Sequence, residues 1–337
     1  MEPYGDDWLY SGSASERLWN KSAIGKKITN NQLILSAAEV IFCHNHRHLN
    51  WPYENWLEEE ISKNSNLINE SIIIEALRVP GNKLMLAKFI ENKSKTPYQK
   101  DTWGVRWNSS NHPRKDIPES EVRWFHSSDL IDCKNLLLWA IKVSQEGRKA
   151  EVLIVDNEQA VVTYNLTVEE PKGELSPPSN QILETISKYR KTIIDNGKIF
   201  FHYENVWPCE QIGIDYDDGR IVDEISYELI KEKEENFSLQ TSVFYDLLMR
   251  GLHPRPGFKY GTLWRCYEQK IGTDHAPWLV VNPSSKPINW ETACLASRLA
   301  SGVNKIWLQP LRISNEWKYL GIVRPPANSR WTNPIKK

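Results

Sequence analysis

Three side chains in the last third of the chain, Tyr267, His275 and Lys305, offer a base, an acid and a cation. A free phenol has a pKa of ~10 and works as a base only beside a charge that favours its anion. A lysine ammonium is a compact cation of that kind, and it can also neutralise negative charge that develops during a reaction. An unperturbed imidazole titrates near neutrality, so His275 is suited to give a proton to a leaving oxygen. Taken singly, each residue type is more often structural than catalytic. The chemistry lies in the three together.

The surrounding pattern indicates how they are positioned. In SVFYDLLMRGLHPRPGFKYGTLWRCYEQKIGTDHAPWLVV, Ser242 to Val281, the spacing predicts a helix over Phe244–Arg250 that ends at Gly251, a good residue just past a helix. Pro254 and Pro256 lead into the turn Gly257-Phe258-Lys259-Tyr260-Gly261. Strands are expected over Thr262–Tyr267 and Trp278–Val281, with the polar loop Glu268–Pro277 carrying His275 between them. A helix over Thr292–Ser301 then delivers Lys305 to the start of a further strand.

The segment GFKYGTLWRCYEQKIGTDHAPWLVV resembles the signature of archaeal tRNA-splicing endonucleases, the tRNA-intron endonuclease family. In that family a glycine-flanked turn leads to a strand ending in the catalytic tyrosine, and a histidine lies some residues beyond. RLASGVNKIW, Arg298 to Trp307, resembles the segment that bears the family's catalytic lysine. The likeness covers Ser242–Pro326 well, the first half weakly and the first thirty residues hardly at all. It implies metal-independent cleavage of precursor tRNA at bulge-helix-bulge intron boundaries, with no cofactor. Tyr267 would take the 2′-hydroxyl proton, His275 would protonate the 5′-oxygen, and Lys305 would neutralise charge on the phosphoryl oxygens. The products would be a 2′,3′-cyclic phosphate and a 5′-hydroxyl. The resemblance also puts Arg298 and Arg324 at the places where the family uses two arginines to sandwich a bulge base, a contact guanidinium planes make well.

The chain reads as two divergent copies of one α+β unit. PKGELSPPSN, Pro171 to Asn180, is dense in turn formers and divides the sequence nearly in half. Ala150–Pro171 and Lys305–Pro326 both read as strand pairs, and Tyr164, Val168 and Pro171 precede Tyr319, Val323 and Pro326 by a constant 155 residues. Helical spacing over Asp132–Gln145 and Thr292–Ser301 comes just before each pair. Amphipathic helices are expected earlier, over Leu33–Leu49 and Val222–Phe237. The expected organisation is residues 1–172, a linker over 173–180, and residues 181–337 with a nuclease core at about 239–327. For each copy the resemblance implies a small N-terminal α/β part plus a restriction-endonuclease-like mixed-sheet part. In the first copy the tyrosine position falls in WGVRWNSS, at Trp107 or a nearby small polar residue. Neither His112 nor His126 has the tyrosine-to-histidine spacing, and Arg148 and Lys149 lie near the lysine position. The first copy is therefore expected to be non-catalytic. Its acidic turn Asp156-Asn157-Glu158 matches the family's acidic loop, which docks a structural subunit into a catalytic one; taken alone it is equally an ordinary solvated hairpin. The arrangement resembles the homodimeric class, with precursor tRNA and a second copy of the chain as partners.

Charge agrees with a polyanion partner for the C-terminal region. From Leu239 onward there are 14 Lys/Arg against 5 Asp/Glu, a balance of +9, which leaves 28 against 38, or −10, in the rest. Hydrophobic content of 40% and charged content of 25% fit a globular protein. Apolar runs such as Leu136–Ile141 are too short to span a bilayer, and the acidic start MEPYGDDWLYSGS lacks a signal-peptide core, so a cytoplasmic protein is expected. The five cysteines are scattered without CxxC spacing, as expected of thiols in a reducing compartment. CHNHRH, Cys43 to His48, looks like a metal cluster, but its alternating spacing does not put three side chains on one helical face. Two alternatives remain: an RNA-positioning subunit without catalysis, and a metal-dependent DNA nuclease. For the latter, Asp246, Glu268, Asp274 and Glu291 form no recognisable Mg²⁺-binding set.

Overall fold

The computed structural model describes residues 1–90, 97–194, 197–203 and 206–334. The protein is α+β with mixed sheets and divides into two compact units. One comprises Met1–Thr167, Ile288–Thr292 and Arg324–Lys337, the other Val168–Pro287 and Ala293–Val323.

The first unit begins with strands β1 (Glu2–Tyr4), β2 (Asp7–Ser11), β3 (Lys26–Thr29) and β4 (Gln32–Leu35), an antiparallel sheet in the order β1-β2-β4-β3. With it go helices α1 (Ser15–Ser22), α2 (Ala37–Arg47), α3 (Trp56–Lys63) and α4 (Leu67–Arg78). The helix expected over Leu33–Leu49 opens as strand β4, because Ser36 stops the strand and caps α2. Its hydroxyl accepts from the Glu39 amide while the Glu39 carboxylate accepts from the Ser36 amide. The same carboxylate lies 3.0 Å from the buried Arg78 guanidinium, which also donates to the carbonyls of Ser22, Ala23 and Leu84. One residue pair thus ties α1, α2, α4 and the next strand together. That strand is β5 (Lys83–Leu86), followed by β6 (Gly104–Trp107), β7 (Ser120–His126), α5 (Cys133–Gln145), β8 (Lys149–Val155) and β9 (Val161–Glu169). Their order is β9-β8-β7-β6-β5. Only β7 and β8, joined across α5, run parallel, as a crossover helix requires.

The second unit likewise combines a small four-stranded sheet with further strands and helices. Its small antiparallel sheet, β10 (Lys191–Ile193), β11 (Ile199–His202), β12 (Ile214–Tyr216) and β13 (Gly219–Val222), is ordered β10-β11-β13-β12. Helix α6 (Asn180–Ser187) precedes it, and α7 (Glu224–Lys231) and α8 (Leu239–Met249) follow. The helix expected over Val222–Phe237 is shortened to α7, because Val222 completes β13 and the Asp223 carboxylate caps the helix through the Ser226 amide. Then come β14 (His253–Pro256), β15 (Trp264–Tyr267), β16 (Trp278–Val280), α9 (Trp290–Gly302), β17 (Ile306–Ile313) and β18 (Glu316–Val323), in the order β14-β15-β16-β17-β18. Again only the pair joined across the helix, β16 and β17, is parallel. Strand β14 is absent from the sequence reading because two of its four residues are proline. It lies at the sheet edge, where missing amide donors are tolerated. The core of this unit packs Phe244, Leu247 and Leu248 of α8 against Trp264, Cys266 and Tyr319.

Candidate active site

Strand β15 ends at Tyr267, and the turn before it fixes how the chain arrives there. A β-carbon on Gly257 would lie 2.3 Å from the Thr262 hydroxyl oxygen and 2.8 Å from that residue's carbonyl oxygen, so only glycine fits. Gly261 adopts φ 65°, the left-handed region that glycine tolerates best. Between these two glycines Phe258–Tyr260 makes one 3-10 turn, and the Gly257 amide bonds the Leu263 carbonyl at 3.0 Å.

Beyond Tyr267 the polar loop turns back to β16, and its fold is held by its own side chains. The Trp278 indole donates to Glu268 at 3.0 Å, and the Asp274 carboxylate accepts from the His275 amide at 2.6 Å. Tyr267, Glu268, Gln269, Lys270, Asp274, His275 and Pro277 line one pocket of about 110 Å³. The phenol is half-buried and the imidazole exposed.

Lys305 reaches the same region from α9. Its amide bonds the Ala300 carbonyl at the helix end, and the parallel pairing of Trp278 with Ile306 sets it level with Pro277. Its ammonium donates to the carbonyl of Ala276, the residue between His275 and Pro277, and lies 5.6 Å from the centre of the Tyr260 ring. Two of the three expected residues therefore share a pocket wall, and the third is bound to the backbone of that wall.

Of the other expected residues, Arg298 is exposed on α9 in the second unit, and Arg324 is exposed just after β18, in residues that belong to the first unit. The Asp156 carboxylate accepts from the amides of Glu158 and Ala160 and so folds its own hairpin, while Glu158 is exposed. Gly173, Glu174 and Leu175, assigned to a linker from their composition, instead bond the Arg250, Glu268 and Gly251 backbone beside the site. Among the described residues no three His, Cys, Asp or Glu side chains are grouped to hold a metal ion. In the CHNHRH segment, His44 bonds the Leu49 carbonyl and stacks on Trp51, and His46 pairs with Glu75 at 2.5 Å. Burial pushes the Cys43 thiol up to about 12.

Four residues near Tyr267 escape the sequence reading. Register sets His253 opposite Tyr267 and Arg255 opposite Arg265, and the Arg265 guanidinium carbon lies 5.7 Å from the Tyr267 ring centre. Arg220 of β13 closes the group, bonding Asp215 at 2.6 Å and the Glu210 carbonyl at 2.8 Å. His253 is buried with neither ring nitrogen bonded, and burial, then Arg255 and Arg220, lowers its pKa to about 3. Arg265 was within reach, since residues two apart on a strand share a face. His253 and Arg255 were hidden with the proline-rich strand that carries them.

The geometry coincides with a family boundary. Residues 237–313 match the tRNA intron endonuclease, catalytic C-terminal domain. The candidate site residues Tyr267, His275 and Lys305 all fall within that matched segment. The chain is 34% identical over 113 residues to a tRNA-splicing endonuclease of Thermoplasma volcanium, covering 34% of this chain and 38% of that one. It is 26% identical over 221 residues to a tRNA-splicing endonuclease of Methanococcoides burtonii, covering 56% and 62%. The chain thus matches less than two thirds of the length of either relative.

Proposed function

We propose that this protein is a metal-independent endonuclease that cuts precursor tRNA at bulge-helix-bulge intron boundaries. The observation that carries the reading is a single pocket walled by Tyr267 and His275, with Lys305 bound to its backbone, inside the residues that match the catalytic domain. Tyr267 removes the proton from the 2′-hydroxyl, and the freed oxygen attacks the adjacent phosphorus. His275 protonates the departing 5′-oxygen, and Lys305 offsets the negative charge on the phosphoryl oxygens. The bond to the 5′-oxygen breaks as the bond to the 2′-oxygen forms, leaving a 2′,3′-cyclic phosphate and a 5′-hydroxyl.

In this reading the first unit is a non-catalytic copy of the second. In support, the two have the same strand order and the same single parallel pair. Trp107 ends β6 as Tyr267 ends β15, and Arg148 immediately precedes β8 as Lys305 precedes β17. The Trp107 indole is bonded to the Asp116 carbonyl, and Arg148 is paired with buried Glu121 at 2.7 Å, so neither is free for acid–base work. Two chains would dimerise, Glu158 and its hairpin docking on the partner, and Arg298 and Arg324 would stack on a bulge base. The proposal puts the activity in the cytoplasm, where the five cysteines stay reduced.

The test is cleavage of a bulge-helix-bulge RNA in EDTA by the wild type and by Tyr267→Phe, His275→Ala and Lys305→Ala. The wild type should remain active, and each variant should lose roughly 10²–10⁴-fold. Abolition by EDTA, or a wild-type rate from His275→Ala, would overturn the mechanism.

A further inference from the structure

A cation withdrawn from water is costly unless another group satisfies it. Most arginines around β14 and β15 meet this condition within the second unit. Arg250 pairs with Asp246 and Glu170, both at 2.7 Å, and donates to the Trp317 carbonyl. Arg220 pairs with Asp215. Arg255 donates to the carbonyls of Gly213 and Glu210.

Arg265 differs from all of these. It is half-buried, and its Nε is buried without a hydrogen-bond partner, as is the Nε of Arg220, but Arg265 has no carboxylate or carbonyl partner among the described residues to offset this. Among the described residues it forms no ion pair, and its guanidinium rests against the Tyr267 ring. Strand alternation puts Arg265 and Tyr267 on one face of β15, and register adds Arg255 and His253 to that face. The face therefore carries two guanidinium groups and no carboxylate. Burial, and next the charge of Arg220, lowers the pKa of Arg255, as crowding of like charges does. A planar fork with open donors, in a positive patch beside the phenol, fits a doubly oxygenated anion such as a phosphodiester.

We propose that Arg265 binds the RNA backbone phosphate next to the 2′-hydroxyl that Tyr267 deprotonates, and so sets the cleaved nucleotide in register with the phenol. This rests on the functional reading above. It adds a substrate-binding residue to the three that carry out the reaction.

The experiment is equilibrium binding of a bulge-helix-bulge RNA with 2′-deoxy sugars at the scissile positions, measured over a range of salt. The proteins are the wild type, Arg265→Gln, Arg265→Lys and, as a control of equal charge change, Arg312→Gln, whose side chain is exposed on β17. Losing one phosphate contact lowers the slope of log affinity on log salt by about one. Arg265→Gln should show that drop, with weaker binding at low salt. Arg265→Lys should regain the slope, and Arg312→Gln should leave it unchanged. A wild-type slope in Arg265→Gln overturns the proposal even if cleavage by that variant is slow, because lost ring stacking alone changes rate and not counterion release. If the wild type binds this RNA no better than an unbulged duplex, the functional reading fails first and the Arg265 assignment falls with it.

Discussion

Replacing His253 with glutamine should make the second unit less sensitive to mild acid, and the size of the effect can be worked out beforehand. His253 is 2% exposed on β14, neither ring nitrogen has a partner, and Arg255 and Arg220 add their charge to its burial. Its pKa is lowered to about 3 in the folded protein, whereas in an unfolded chain a histidine titrates near ~6.5. Between those two values the unfolded chain binds the extra proton and the folded one does not. Stability is therefore full above ~6.5, declines as the pH falls through the window, and levels off only below about 3. At ~pH 5 the unfolded imidazole lies about 1.5 pH units below its pKa, which at ~1.4 kcal/mol per unit gives about 2 kcal/mol. Discounted for electrostatic screening, the expected effect is about 1–2 kcal/mol.

The assay is urea unfolding followed by circular dichroism at ~pH 7.5 and ~pH 5, with each protein compared with itself. Any cost of the substitution at neutral pH then cancels, as do the contributions of the other histidines. Wild type should lose about 1–2 kcal/mol more than His253→Gln between the two conditions. Parallel losses would mean that His253 is protonated in the folded protein as readily as in the unfolded one, and the account of its burial would be wrong.

Two further substitutions probe the framework. Glu39→Gln leaves the Arg78 guanidinium, paired at 3.0 Å and buried, without its counter-charge. It should cost about 3–5 kcal/mol by denaturant unfolding, and a loss below ~1 kcal/mol would show that the backbone carbonyls around Arg78 suffice. In the turn before Tyr267, Gly257→Ala should lower the melting temperature more than Gly261→Ala. The first meets Thr262 at 2.3 Å, whereas the second enters open space and bears only the ~1–2 kcal/mol strain of a left-handed backbone. The opposite ranking would refute the close-approach argument.

The sequence announced elements where one periodicity ran cleanly and hid them where local chemistry conflicted with it. Helix α5 lies at Cys133–Gln145, as the apolar spacing over Asp132–Gln145 indicates, with Asp132 as its cap. The hairpin of β8 and β9 is where alternation and the acidic turn put it, and β17 and β18 join through Ser314 and Asn315 at φ 49° and 68°. The small sheets were not legible, because their strands of three to five residues are too short for a period to register. Leu33–Leu35 satisfies a helical pattern that continues into α2, and only Ser36 separates strand from helix. Of the candidate pocket, Tyr267, His275 and Lys305 stand out in the sequence by chemical type. The arginines behind them do not, because their role depends on a register that sequence does not state.

The buried arginines of the two units differ in how they are paired. In the first unit, Arg106 pairs with Glu151 at 2.7 Å, and Glu151 also accepts from Ser120 and the Trp331 indole. Arg148 pairs with Glu121, which further accepts from Thr102. Both arginines thus have a buried carboxylate partner, although the Arg148 Nε is itself unbonded, and such networks rigidify a core. At the matching strands of the second unit, His253 has both nitrogens unbonded, Arg265 has an unbonded Nε, and buried Gln309 has an unbonded Oε1. Unpaired polar groups of this kind reduce stability, so a stretch of sheet that gathers several is poorly explained by folding alone. Of these, Arg265 lies on the strand that ends in Tyr267 and His253 on the strand beside it. Arg106 and Arg148 of the first unit have internal carboxylates, whereas Arg265 faces the phenol without one among the described residues, and the proposed phosphate contact would supply that partner.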